Sequence, residues 1–201
     1  MKTVSIPFAI SDNDRIEELF SERILNIFLE LKAKRVSLFF GNAWKDMSRN
    51  TPIIQRAIKH FAQYDIEVAI WLNSFIHNAY DSKYTAKKYA DGSERMTCPL
   101  DVDFIQDFAL DVAEYAKTGA PLIYLDDDFR LGVSGGLNCF CDLHMAEYRK
   151  ILGQDITREK IAAEILSGKP NVYRDAWSQV NGKALKKAAQ IIRSEVDKIF
   201  E

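Results

Sequence analysis

The chain has 201 residues, 47% of them hydrophobic and 28% charged, with a formal net charge of −2. These values suit one soluble α/β-sized domain with a sizeable core. They exclude a global basic field that would recruit nucleic acid or an anionic membrane, and no apolar run approaches the roughly 18 residues of a bilayer span.

The first residues, 1–7, lack the apolar stretch of a secretory signal. Residues 4–10 form a short apolar run with β-branched members, the first expected strand. Ser11, Asp12, Asn13 and Asp14 offer helix caps. Ile16, Leu19, Phe20, Ile24, Ile27, Phe28 and Leu31 then recur at helical spacing, which predicts one amphipathic helix. Residues 35–40 read as a buried strand ended by Gly41 and Asn42. Thr51 and Pro52 open a second helix through Phe61, with proline in its first turn.

Residues 67–72 are the third strand, and a long polar loop is expected over 73–99. A helix over 102–117 stops at Gly119, and residues 121–125 are the fourth strand. The acidic triplet Asp126, Asp127 and Asp128 and a glycine-rich loop over 132–136 follow. The remainder, 141–201, reads as helical, with segments starting near Cys141, at Thr157 and at Asn171. The whole chain, 1–201, is expected to form a single domain.

Strands alternating with helices imply parallel pairing and right-handed crossovers. Two architectures fit: an open doubly wound sheet, or about half of a (β/α)8 barrel, whose complete form takes about 250 residues. In both, ligands bind at the carboxyl ends of the strands. Asn42 and Trp44 follow the second strand there, Asn73 the third, and the aspartates the fourth. Asn42 and Asn73 also suit turns on conformational grounds alone. Trp44 and Trp71 each offer an aromatic face to a ligand or pack in the core, and for Trp71, inside an apolar strand, core packing is expected.

The triplet admits three readings. Crowded carboxylates raise one another's pKa, so one can serve as a general acid, with Arg130 holding a neighbour ionised. Hard oxygen ligands equally suit Mg2+ and phosphoryl chemistry. A merely structural acidic loop capping helices is the third.

Three cysteines make a poor disulfide framework and point to a reducing, cytoplasmic setting. Cys139, Cys141 and His144 form C-x-C-x-x-H, and Cys98 is the remaining cysteine. Three thiolates and an imidazole are a complete structural zinc set. The alternative is a pair of cysteines at a helix start beside an unrelated histidine.

The stretch from Thr97 to Tyr148 resembles glycoside hydrolase family 42, β-galactosidases with a catalytic (β/α)8 barrel. The resemblance lies in Cys98-Pro99-Leu100 before a helix, in Leu125-Asp126-Asp127-Asp128-Phe129 at the end of the fourth strand, and in the Cys139, Cys141, His144 cluster. It implies that Asp128 stands at the acid/base position and Asp127 at that of a neighbouring asparagine. It also implies that Cys98, Cys139, Cys141 and His144 bind structural zinc. Asp126 and Arg130 would position Asp128, and carbohydrate would be the substrate.

Three departures from that pattern matter. Asp128 is one methylene shorter than glutamate, Asp127 is charged where the family has an amide, and His144 replaces a cysteine. The family's nucleophile comes from a late barrel strand, beyond the four strands present here. The sheet edges would then be covered by a second copy or by a separate C-terminal half. A zinc-stabilised carbohydrate-binding module without turnover is the other expectation from the same residues.

Overall fold

Four apolar runs become strands β1 (Ser5–Ala9), β2 (Arg35–Phe39), β3 (Glu67–Leu72) and β6 (Leu122–Leu125). They lie parallel in the order β1-β2-β3-β6. In register, Pro7 pairs with Ser37, Ser37 with Ala69, and Ala69 with Leu122. The computed structural model describes residues 4–74, 81–126, 129–131 and 136–200. Each strand lies beside its predecessor along the chain, so the order never reverses. A doubly wound sheet reverses its order at a switch point. The open-sheet architecture therefore does not hold, and the winding is that of half a (β/α)8 barrel.

Side chains alternate across each strand, which gives the sheet two unlike faces. Phe8, Val36, Leu38, Phe40, Val68, Ile70 and Leu72 are buried on one face. The helices supply matching apolar positions: Leu19 from α1 (Asn13–Leu19), Ile24 and Phe28 from α2 (Glu22–Glu30), and Ile54, Ala57 and Phe61 from α3 (Met47–Ala62). The Phe28 and Phe61 ring centroids are 5.7 Å apart. The opposite face carries Ser37, Phe39, Trp71 and Tyr124, the last three only half-buried.

Three expectations from the sequence are corrected. The first long helix is two helices. Ser21 breaks it, because its Oγ donates to Glu18 O (2.7 Å) and accepts from Ile24 N (3.3 Å), ending one helix and capping the next. The helix carrying Pro52 begins earlier, at Met47. Asp46 caps it by accepting from Arg49 N at 3.1 Å, so Pro52 lies inside the helix and leaves one intrahelical bond unmade. The expected loop over 73–99 contains an antiparallel hairpin, β4 (Ala86–Lys88) and β5 (Glu94–Thr97). Its turn closes through Tyr89 N to Ser93 O (2.9 Å), and Gly92 takes φ +87°, a conformation that favours glycine.

By its internal packing the chain forms two compact units. The first comprises residues 1–73, 110–126 and 198–201, and holds the parallel sheet. The second comprises 74–109 and 127–197. Helix α4 (Val102–Ala116) begins in the second and ends in the first. The second unit also holds the hairpin, α5 (Asp142–Leu152), α6 (Arg158–Leu166) and α7 (Val172–Asp197). Its core joins Phe140, Met145, Tyr148, Ile161, Ile165 and Val180. No helix among the described residues is long and apolar enough to cross a membrane.

Candidate metal centre and sheet rim

The hairpin and the start of α5 together build a cluster of soft ligands. Cys98 directly follows β5, and its N–H donates to Thr85 O at 2.8 Å. Cys139 follows Asn138, which bridges to Tyr89 beside the hairpin. Phe140 N donates to Lys88 O at 2.8 Å, tying the strand before α5 to β4. Cys141 is the residue that precedes α5, and His144 lies in its first turn. Tyr148, one turn further, donates its hydroxyl to Cys139 O at 2.9 Å. Each ligand is thus set by backbone that is itself bonded.

The ligand atoms of Cys98, Cys139, Cys141 and His144 all lie within 4.8 Å of one another, and all four residues are buried. Cys98 Sγ is 3.3 Å from His144 Nδ1, Cys141 Sγ is 3.4 Å from the same nitrogen, and the sulfurs of Cys141 and Cys98 are 3.5 Å apart. Zinc bond lengths of about 2.0–2.3 Å put tetrahedral ligands roughly 3.5–3.8 Å from one another. The donor set therefore fits a four-coordinate soft ion, with no protein position left open for substrate.

Electrostatics point the same way. Burial pushes the Cys98 thiol up, reinforced by the neighbouring sulfurs. The Cys141 thiol is pushed up to about 12, chiefly by its bond to Cys139. Burial also acts to raise Cys139, but hydrogen bonds from Cys141, Cys98 and His144 outweigh it and hold this thiol well below the ordinary value. One sulfur is thus the preferred anion of the cluster, and a cation bound there would favour all three thiolates. The three cysteines form no disulfide.

The residues expected at the strand ends are placed as follows. Gly41–Lys45 forms a short 3-10 turn after β2. Asn42 on it is exposed, whereas Trp44 is only 3% exposed. The Trp44 carbonyl accepts from the Tyr115 hydroxyl, which also receives the Asn50 amide at 3.0 Å. Asn73 is buried and donates to Gly41 O at 3.4 Å. Asp126 N donates to Leu72 O at 3.1 Å, and its side chain is half-buried. Asn42, Asn73 and Asp126 therefore follow neighbouring strands on one rim of the sheet. Arg130 is exposed. Asp127 and Asp128 lie outside the described residues.

Exposure of the two tryptophans runs opposite to the sequence expectation. Trp44 is enclosed, while Trp71 is half-buried on the sheet's less covered face. There it lines a cavity of about 350 Å³ with Ser5, Pro7, Ser37, Tyr124 and Asp126. None of these but Asp126 stands out in the sequence. The period-2 alternation of β1 and β2, with Ser5, Pro7 and Ser37 in step, was the one signal for it.

No protein-family model matches the chain, and no curated protein matches it. Among solved structures it is similar to an inactive mutant of the GH20 exo-β-N-acetylglucosaminidase of Vibrio harveyi. The TM-score is 0.50 at 10% sequence identity, over 89% of this chain and 34% of that one. The chain spans about a third of that enzyme's length, and at this identity the likeness is one of fold.

Proposed function

We propose that the chain is a glycoside hydrolase-like domain that takes carbohydrate at the carboxyl ends of its parallel strands. The observation that carries this reading is the singly wound sheet, which brings Asn42, Asn73 and Asp126 to one rim. The fold likeness to a GH20 glycosidase agrees with it at the level of architecture. Kinship with family 42, and hence with β-galactosidases, is the finer form of the proposal. It draws on the motif order from Cys98 to His144.

On this reading Asp128 is the proton donor, Asp127 meets the sugar, and Arg130 and Asp126 position the donor. Retaining glycosidases need a second carboxylate about 5–5.5 Å from the first. In this proposal it comes from a second copy or from a C-terminal half that completes the barrel. Zinc at Cys98, Cys139, Cys141 and His144 holds structure and takes no part in turnover, since the protein fills all four positions. A reducing compartment such as the cytoplasm belongs to the same proposal, and three cysteines without a disulfide agree with it.

The test is hydrolysis of aryl β-galactosides and aryl N-acetylglucosaminides by the purified chain, beside Asp128→Asn. Turnover lost in Asp128→Asn supports the catalytic form. Saccharide binding without turnover supports a second reading, a zinc-stabilised binding module, which the closed ligand set favours. Absence of any saccharide binding by folded, metal-loaded protein refutes both.

A further inference from the structure

The sheet face away from the helices offers chemistry that the rim reading does not use. Ala9, Phe39, Trp71 and Tyr124 stand side by side in register across β1, β2, β3 and β6. The Phe39 and Trp71 centroids are 5.4 Å apart at 50°. Arg35 fixes Tyr124 by donating to its hydroxyl at 2.9 Å, and is itself held by Glu67 at 2.6 and 3.1 Å. The aromatic row is thus preorganised.

The cavity on this face measures about 350 Å³, near the lower end of the roughly 300–1,000 Å³ that small-molecule sites span. That suits one small ring, not an extended chain. Its lining combines the Trp71 and Tyr124 rings, the Ser5 and Ser37 hydroxyls and the Asp126 carboxylate. The two serine oxygens bond each other at 3.1 Å. Trp71 Nε1 is buried and has no hydrogen-bond partner among the described residues. A buried indole N–H is normally bonded, so an acceptor oxygen supplied by a ligand would complete this face.

A further strand is a poorer occupant. Residues 4 and 10, which flank β1, bond toward β2: Val4 O accepts from Lys34 and Arg35, and Ile10 N donates to Phe39 O. Alternation turns residues 5, 7 and 9 to the outer edge. Residue 7 is proline, so the middle donor of that edge is missing. An edge so blunted resists strand addition.

We propose that this cavity is a saccharide subsite for a single pyranose. An aromatic face carries negative charge density, which attracts the polarised C–H bonds on the apolar side of a pyranose. The Trp71 N–H donates to a sugar oxygen, and Asp126 accepts from a hydroxyl. The inference deepens the carbohydrate reading above and rests on it.

The test titrates the full chain with galactose, N-acetylglucosamine and glucose, read by tryptophan fluorescence and by saturation-transfer NMR. Sedimentation reports the oligomeric state. Trp71→Phe keeps a ring and deletes the N–H. Ser5→Phe fills the cavity from an exposed position on the edge strand and leaves the buried core alone. Affinity for the bound sugar is expected to fall about tenfold in Trp71→Phe and to be lost in Ser5→Phe, with the wild-type fold retained by circular dichroism.

Sugar binding unchanged in both variants but weakened in Asn42→Ala overturns the subsite and leaves the rim reading standing. A wild type that binds no sugar overturns the rim reading as well. A dimer in which Trp71 is shielded from a soluble quencher makes a second copy the occupant and also overturns the subsite.

Discussion

Cys98 Sγ lies 3.3 Å from His144 Nδ1, although 46 residues separate them in the chain. Such proximity between a thiol and an imidazole, with two more thiols alongside, requires either deliberate polar packing or a shared cation. His144 is fully buried, and its Nε2 has no hydrogen-bond partner among the described residues. Ligation through Nδ1 gives this ring a role that burial alone does not.

The metal proposal predicts that protein purified without chelator carries about one zinc per chain. Cobalt substitution should give the absorption of a tetrahedral thiolate site. Cys98→Ser should lower stability by at least ~3 kcal/mol and the Tm by on the order of 10 °C. Metal-free protein whose Tm ignores both chelator and added zinc would count against the site.

Gly136 sits where an added Cβ would lie 2.5 Å from Tyr89 Cε1, closer than side chains approach. Tyr89 is buried and pairs with Asn138, next to Cys139. Gly136→Ala should therefore cost about 2 kcal/mol through forced displacement of the ring and weaken metal retention. Competition with a chromogenic chelator measures the second effect. Retention equal to wild type would show that the Tyr89–Asn138 contact does not hold the ligands in place.

Tyr115 is fully buried, donates to Trp44 O and receives the Asn50 amide. Burial pushes its phenol up to about 12, so it stays protonated as a donor at any ordinary pH. Tyr115→Phe should cost about 1–2 kcal/mol and remove one donor from the Trp44 carbonyl, which also receives the Asn50 amide at 3.4 Å. Urea denaturation reads this directly. An unchanged midpoint with an unchanged slope would argue that the network carries no net stability.

Asp46 caps α3, and bonds from Ser48 and then Arg49 N hold its carboxyl below the usual value. Its folded pKa is lower than its unfolded one. The stabilisation is therefore complete above the unfolded value and is lost as pH falls through the folded value. Asp46→Asn should show a smaller drop in urea midpoint than wild type between pH 7 and pH 3. Parallel pH profiles for the two proteins would remove the charge-based account of this cap.

Much of the sheet was readable because each strand is a compact apolar run flanked by turn residues. Val36, Leu38, Val68 and Ile70 leave no other assignment, and the candidate metal ligands Cys98, Cys139, Cys141 and His144 stand out by residue type and spacing. The β4–β5 hairpin was not readable. Its strands are three and four residues long, and β4 carries two lysines, of which Lys87 is completely buried. Side-chain character alone predicts the opposite for that position. Asp91 and Gly92 were the legible trace of its turn.

The break at Ser21 was hidden for a different reason. Apolar spacing continues across it, so periodicity and capping gave conflicting signals, and capping prevailed. Trp71 reads as core from its apolar neighbours, yet a strand has two faces, and which one is covered depends on helices elsewhere in the chain. The chemistry expected of Asp127 and Asp128 lies outside the described residues and is left to the Asp128→Asn measurement.

Cys98 precedes α4, and Cys139 follows β6, so a shared ion would pinch the chain at the two stems of one long excursion. That excursion delivers the last strand to the parallel sheet. Fastening its stems removes about 4 kcal/mol of loop entropy from the unfolded chain in the polymer estimate used for cross-links. Demetallation should therefore reach beyond its immediate surroundings: β6 would be the first strand to exchange its amide protons, ahead of β2 and β3.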